Sequence, residues 1–249
     1  MKIPKVRLDE LLVERGLAES TAKAQALVMA GVVFSGEQKL TSSGAKVGAD
    51  IDVRVKGAAH PWVSRGGLKL AHGLAHFSFA PKSRVCLDLG ASTGGFTDVL
   101  LSHDAAKVYA VDVGYGQLAH KLRTDPRVVV LERTNARQLD RATVPDNIGA
   151  IVCDASFIGL RTILPAALAL AAPDAWVIAL IKPQFEVGKD RVGDKGVVRD
   201  PALHAEVCET ITAWMSAQPG WKVLGVEKSP ITGPEGNVEF LIGATSTAT

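Results

Sequence analysis

Cysteine is scarce in this sequence. The three present, Cys86, Cys153 and Cys208, form no C-x-x-C pair and leave an odd one over. A disulfide-stapled secreted scaffold is therefore excluded, and a reducing, cytoplasmic setting is expected. Long apolar runs are missing as well. No uncharged apolar stretch reaches the roughly 18 residues a spanning helix needs, and the start MKIPKVRLDELLVERG is too charged for a signal peptide. Aromatic residues make up only 5%, and the net charge is only +2. What is present is ordinary globular composition: 47% hydrophobic and 22% charged residues in a chain of 249. That length suits one large domain, or a small domain beside a medium one.

The near-neutral total hides a division. Residues 1–84 carry 13 Lys and Arg against 7 Asp and Glu, whereas residues 85–249 carry 15 against 19. Within the first part, residues 57–84 hold Arg65, Lys69, Lys82 and Arg84 and no acid. A basic module joined to a mildly acidic one fits a polyanion-binding domain beside a domain with another task. In the first 56 residues, Leu8, Leu11 and Leu12 follow helical spacing, with Asp9 and Glu10 in the first turn and Gly16 as the stop. Ser20 caps a second predicted helix, with Ala24, Leu27 and Val28 inward and Gly31 ending it. Short β-type runs follow at Val32–Phe34, Val47 and Ile51–Val55. Lys5, Arg7, Arg15 and Lys23 lie on or beside the helices and are candidate phosphate contacts, with Arg65 at the joint between modules. Trp62 in that joint is read as packing between domains rather than stacking on a base.

From residue 85 the pattern alternates strand and helix. Strands are expected at V85-C-L-D-L, V108-Y-A-V-D, V128-V-V-L, A150-I-V-C-D, W176-V-I-A-L-I, V223-L-G-V and V238-E-F-L-I-G, with helices at Ile158–Ala171 and Pro201–Ala217 between them. Such repetition implies a doubly wound α/β domain with ligands at the carboxyl ends of its strands. The turn after the first strand, D88-L-G-A-S-T-G-G-F, is neither a Walker P-loop nor G-x-G-x-x-G. Asp112 ends the second strand 22 positions after Gly90, where a carboxylate would hold a ribose diol. Both NAD and S-adenosylmethionine (SAM) offer that ribose. Asp88 at the first strand's end suits SAM's sulfonium and amino group and would repel a pyrophosphate.

Four further groups stand out. Asp154 and Lys182 follow strand ends, Lys69 lies in the helix S64-R-G-G-L-K-L, and Glu239 opens the last strand. Two lysines close together in a partly dry site would have a lowered pKa, and a neutral lysine accepts a proton from an alcohol. His72 and His76 lie one helical turn apart with no third partner in view, so no metal is expected. The loop from Gln184 to Arg199, rich in charge and glycine, suits a cover over RNA or cofactor.

The stretch R-L-D-E-L-L-V-E-R-G-L-A-E-S-x-x-x-A-x-x-L-V-x-x-G-V-V resembles the S4-type RNA-binding domain. Thr21 stands where that family usually has Arg, and Phe34-Ser35-Gly36 where it has V-N-G. The K…D…K…E order together with D-L-G-A-S-x-G-G-F resembles the FtsJ/RrmJ-type ribosomal RNA 2′-O-methyltransferases. With W-V-S-R-G-G-L-K-L between the two parts, the whole chain resembles the TlyA family, historically labelled haemolysin A, which methylates cytidine 2′-hydroxyls.

The resemblance implies an S4-like domain over 1–56, a linker over 57–66, and a SAM-dependent methyltransferase domain over 67–249. That larger domain would be a Rossmann-like, mostly parallel sheet whose last strand is antiparallel. It also implies a tetrad of Lys69, Asp154, Lys182 and Glu239, with Lys182 as base. The cofactor site would comprise Asp88, Gly90, Ser92, Gly94, Gly95, Phe96, Asp112, Asn135 and Asp154. Ribosomal RNA or ribosomal subunits are the expected partners, and no metal is required. A non-catalytic RNA-binding protein and a membrane-lysing toxin are the competing readings, the second opposed by the lack of a spanning or long cationic amphipathic segment.

Overall fold

The computed structural model describes residues 4–18, 20–56 and 60–247. Positions 57–59, the start of the expected linker, lie outside the described residues.

The chain opens with a short strand absent from the sequence expectations, β1 (Lys5–Arg7), which runs directly into α1 (Leu8–Glu14). Asp9 in that first turn is completely buried. It accepts from Arg7 Nε at 3.0 Å, Arg7 Nη2 at 2.7 Å and Gln25 Nε2 at 2.9 Å, which is how a charge survives there. Ser20 caps α2 (Thr21–Met29), its hydroxyl accepting from the Lys23 N–H at 3.3 Å. Both helices end on glycines with left-handed backbone, Gly16 and Gly31, as the sequence leads one to expect. Leu8, Leu11, Leu12, Ala24, Val28, Val33 and Val53 form the small core, with Leu27 only partly buried against it. Strands β2 (Val33–Ser35), β3 (Gln38–Lys39), β4 (Lys46–Gly48) and β5 (Arg54–Val55) complete the unit. β2 pairs with β3 and β5, and β4 pairs with β1, all antiparallel.

Helix α3 (Gly66–Phe77) leads into the larger unit. There follow β6 (Val85–Leu89), α4 (Gly95–Ser102), β7 (Lys107–Val111), the short α5 (His120–Arg123) and β8 (Val128–Leu131). Next come β9 (Ile148–Cys153), α6 (Leu160–Leu168), β10 (Ala171–Ile181) and the single turn α7 (Pro183–Glu186). The chain ends with α8 (Pro201–Ser216), β11 (Trp221–Lys228) and β12 (Phe240–Ser246). The seven strands lie in the order β11-β12-β10-β9-β6-β7-β8. β6 to β10 are mutually parallel and β12 is antiparallel to both its neighbours, the sheet expected from the sequence.

Alternation along each strand divides the core between the two faces. Leu87, Leu89, Ile151 and Ile181 join α6 and α8 on one side, and Cys86, Val108, Ala110, Ile178 and Leu180 join α3 and α4 on the other. Burial pushes the Cys86 and Cys153 thiols up to about 12, so both behave as packing atoms. The polar consequence of this topology is confined to one rim. The turns after β6, β7, β9 and β10 all open there.

Candidate active site

Lys69 reaches this rim from α3, Asp154 follows β9, Lys182 follows β10 and Glu239 immediately precedes β12. The four side chains touch in series. Lys69 Nζ donates to Glu239 Oε2 at 2.5 Å and lies 3.6 Å from Asp154 Oδ2. Lys182 Nζ lies 2.7 Å from Asp154 Oδ1, an ion-pair contact outside hydrogen-bond alignment. Its donated hydrogen bonds go to the Asp154 carbonyl at 3.1 Å and the Ser156 hydroxyl at 3.0 Å. Lys69, Lys182 and Glu239 are buried, and only Asp154 is partly open. Two ammonium groups and two carboxylates thus neutralise one another where single charges would be costly.

The expectation of a lowered lysine pKa does not hold for Lys69. Burial opposes its charge, but Asp154 and Glu239 outweigh burial and raise its pKa. Its charged form is thus favoured, and Lys69 ties two carboxylates together.

Two cavities meet at this cluster. The larger, about 700 Å³, runs between the turns after β6, β7 and β9. The smaller, about 220 Å³, lies between those turns, α3 and the end of α1. Gly90, Ser92, Asp154 and Ser156 line both. Gly90 takes φ +80°, and a Cβ there would come within 2.8 Å of the Ala155 backbone, so only glycine lets the two turns close on each other.

Of the residues assigned to a cofactor, Gly90, Ser92, Asp112, Asn135 and Asp154 line the larger cavity, while Gly95 and Phe96 face the smaller one. Asp112 accepts from the Ser92 N–H at 2.8 Å and the Gly114 N–H at 2.7 Å, bracing both turns. Asn135 Oδ1 accepts from the Arg137 N–H at 3.1 Å. Gly94 lines neither cavity; its backbone, at φ +97°, makes room for Leu118 and Leu122.

Asp88 also lines neither. It is fully buried and accepts from the Thr97 hydroxyl at 2.7 Å, and burial raises its pKa to about 7. Its place is behind the glycine turn, holding the start of α4, because strand β6 turns that side chain into the core face. Ser156, which the sequence reading passed over, completes the site. The only signal for it was its place two residues after Asp154 in D-A-S-F.

The five proposed RNA contacts separate in the same way. Lys5 and Lys23 are exposed, and Arg65 is partly exposed beside the smaller cavity. Arg7 is committed to Asp9 and lies 3.7 Å from Glu10. Arg15 is buried: it donates to the Ile51 carbonyl and, at 2.6 Å, to the Ala49 carbonyl, so it clamps α1 to the loop after β4. Trp62 packs against the core of the larger unit, and a Cβ on Gly67 would lie 2.8 Å from it. The segment after Lys182 is anchored rather than a free cover. Glu186 Oε1 accepts from the Leu160 N–H at 2.7 Å, and Val197 and Val198 are buried. His72 and His76 do have a third partner: Glu227 on β11 lies 3.1 Å from His72 Nε2 and 3.7 Å from His76 Nδ1. Among the described residues, no helix is long and apolar enough to cross a membrane.

The FtsJ-like methyltransferase family matches residues 62–246. The 16S/23S rRNA (cytidine-2′-O)-methyltransferase TlyA of Mycobacterium tuberculosis is 48% identical over 239 residues, covering 96% of this chain and 89% of that protein. A protein of Streptococcus thermophilus, provisionally named a hemolysin, has a solved structure with TM-score 0.82 and 40% identity, covering 99% of this chain and 90% of its own. An O-methyltransferase of Bacillus cereus, solved in complex with SAH, shares the fold at TM-score 0.52 and 17% identity, covering 74% of this chain and 81% of its own. The resemblance to the FtsJ-type and TlyA methyltransferases drawn from the sequence motifs is borne out.

Proposed function

The chain belongs to the FtsJ-like methyltransferase family, and from that premise we propose that it transfers a methyl group from SAM to the ribose 2′-hydroxyl of cytidine in ribosomal RNA. The observation that carries this reading is the position of Asp154, which lines both cavities and lies in ion-pair contact with a buried lysine on each side. One cavity has room for a nucleoside cofactor. The other has Arg65, Lys69 and Lys182 in its lining, a cationic mouth at which a polyanion would arrive.

The residues present fit SAM. Asp112 stands at the rim with acceptor capacity left on each oxygen beyond its backbone bonds, suited to a ribose diol. Ser92, Gly114, Asn135 and Ile163 line the remainder of a cavity whose size is typical for such ligands. When bound, SAM supplies an electrophilic methyl group on a sulfonium cation. Asp154 at the cavity junction provides the negative charge that favours a cation there.

The protein's own task is to present an oxygen in line and remove its proton. Lys182 is the base in this reading. Its ammonium is positioned by Asp154 and Ser156, and loss of its proton leaves the four-residue cluster with one net negative charge. A nearby cation favours that state. Lys69, its charged form favoured by Asp154 and Glu239, is suited to donating hydrogen bonds to ribose oxygens. The proton taken by Lys182 has a route to solvent through the smaller cavity.

Incorporation of labelled methyl from SAM into ribosomal RNA or subunits tests the proposal, with the site mapped by ribose-methylation analysis. Lys182→Ala should abolish incorporation while calorimetry still detects SAM binding. Retained turnover would falsify its role as base, and no incorporation by the unaltered protein into either subunit's RNA would leave an RNA-binding protein instead.

A further inference from the structure

Helix α3 carries Lys69 into the active site and, one and two turns further along the same stripe, His72 and His76. His72 and His76 stand one helical turn apart, with ring centroids 6.1 Å from each other. Opposite them Glu227 projects from β11, the outermost strand of the seven. Its carboxylate is shared: Oε1 lies 3.1 Å from His72 Nε2, and Oε2 lies 3.7 Å from His76 Nδ1. One ligand atom from each residue falls within 4.8 Å of the other two.

We propose that His72, His76 and Glu227 form a binding site for a divalent transition-metal ion of the zinc type, separate from the methyl-transfer centre. Three arguments support it. The first is donor spacing. Four ligands at about 2.1 Å from a tetrahedral ion lie about 3.4 Å apart; the nitrogen–oxygen separations, 3.1 Å to Oε1 and 3.7 Å to Oε2 of Glu227, fall either side of that value. One donor atom from each residue lies within 4.8 Å of the other two, so side-chain rotation must draw the three together to close them on one ion.

The second is donor chemistry. Two imidazoles and one carboxylate suit Zn²⁺, Co²⁺, Ni²⁺ or Cu²⁺, whereas Mg²⁺ and Ca²⁺ prefer all-oxygen shells. The third is access. The side chains of His72, His76 and Glu227 are 37%, 42% and 32% exposed, so water can supply the remaining ligands. Histidines at i and i+4 are fixed by the helix, which lowers the ordering cost of chelation.

The consequence is mechanical. A metal ion would clip α3 to an edge strand whose one strand partner among the described residues is β12. His72 is three residues from Lys69 on the same helix, so the clip would also restrain the element that delivers Lys69. The role assigned is structural, with no step of the methyl transfer passing through it.

The test uses the full chain without a histidine tag, stripped with chelator. Titration with Zn²⁺ by calorimetry should show one site per chain, and Co²⁺ should give a visible d–d spectrum typical of mixed nitrogen and oxygen ligands. Zn²⁺ should raise the melting temperature, because an ion that binds only the folded state stabilises it. His76→Ala and the near-isosteric Glu227→Gln should each weaken binding by at least about tenfold and remove the thermal shift. His120→Ala, elsewhere on the surface, should leave both unchanged. Melting curves in chelator establish that the variants fold. The proposal is overturned by a stoichiometry well below one, by equal Zn²⁺ affinity in the two ligand variants and the unaltered chain, or by Mg²⁺ binding at the same site as tightly as Zn²⁺.

Discussion

Lys69 and Glu239 meet in a dry part of the protein, 170 positions apart in the chain, and each is costly there without the other. Lys69→Met would leave Glu239 buried and unpaired and Asp154 half-paired. Urea unfolding should show a loss of about 3 kcal/mol or more. The double variant Lys69→Met/Glu239→Met should recover most of that stability while methyl transfer stays absent, which separates the structural from the chemical contribution. Asp88 makes a different prediction. Its pKa in the folded protein is raised to about 7 from an ordinary carboxylate value, so the folded state holds that proton more tightly than the unfolded state. Its contribution is fully present below the unfolded value and is lost as pH rises through about 7. Relative to the unaltered protein, Asp88→Asn should therefore gain stability progressively between about pH 4 and 7. A parallel pH dependence of the two proteins, measured by denaturant unfolding, would contradict this assignment.

At the level of elements, the N-terminal helices present basic residues with different tasks. Arg15 holds α1 against the loop after β4 through two carbonyl oxygens. Arg15→Ala strands those acceptors and should destabilise the small unit by about 1–3 kcal/mol, visible as an early transition in thermal unfolding. Lys5 and Lys23 are exposed and cost little to change. Lys5→Glu/Lys23→Glu should leave melting behaviour intact, weaken RNA binding, and reduce the salt slope by on the order of one for each phosphate no longer neutralised. An unchanged slope would show that these strands and helices do not meet RNA through those lysines. Arg7 is a poor choice for such a test. Arg7→Glu would place a second acid beside buried Asp9, whose pKa is held low first of all by the hydrogen bonds from Arg7 and Gln25.

For the molecule as a whole, the two units come together at the smaller cavity, lined by Glu14, Arg15 and Gly16 on one side and by Arg65, Lys69 and Lys182 on the other. Gly16 stands at this junction for its left-handed backbone, φ +66°, rather than for space, since a Cβ there would only touch Arg65 Cγ at 3.4 Å. Arg65 lines only this cavity. Arg65→Ala should accordingly raise KM for RNA several-fold, with SAM affinity by calorimetry unchanged. A matching drop in SAM affinity would mean that Arg65 acts on the larger cavity instead.

Much of this architecture follows from local pattern. The near-continuous apolar runs V85-C-L-D-L and W176-V-I-A-L-I, the serine at the head of α2 and the glycines after α1 and α2 each act within a few residues, so the strands, the caps and the parallel sheet were legible before any coordinates. The four charged groups, Lys69, Asp154, Lys182 and Glu239, were legible as a set because they sit at strand ends or on the helix leading into the sheet. The sequence by itself also separated a basic front from an acidic back and placed a glycine turn where a cofactor would bind.

What only the tertiary structure decided is direction and partnership. Arg15 and Arg7 look like phosphate contacts until burial and neighbours commit them to carbonyls and to Asp9. Asp88 looks like a cofactor ligand until the pleat of β6 turns it into the core. Ser156 becomes a partner of Lys182, and Glu227 a partner of His72, across separations of 26 and 155 positions. Side-chain spacing along a helix or strand is fixed by local geometry. Which distant groups meet is set by how whole elements pack, and charge, protonation and affinity in this site are properties of those meetings.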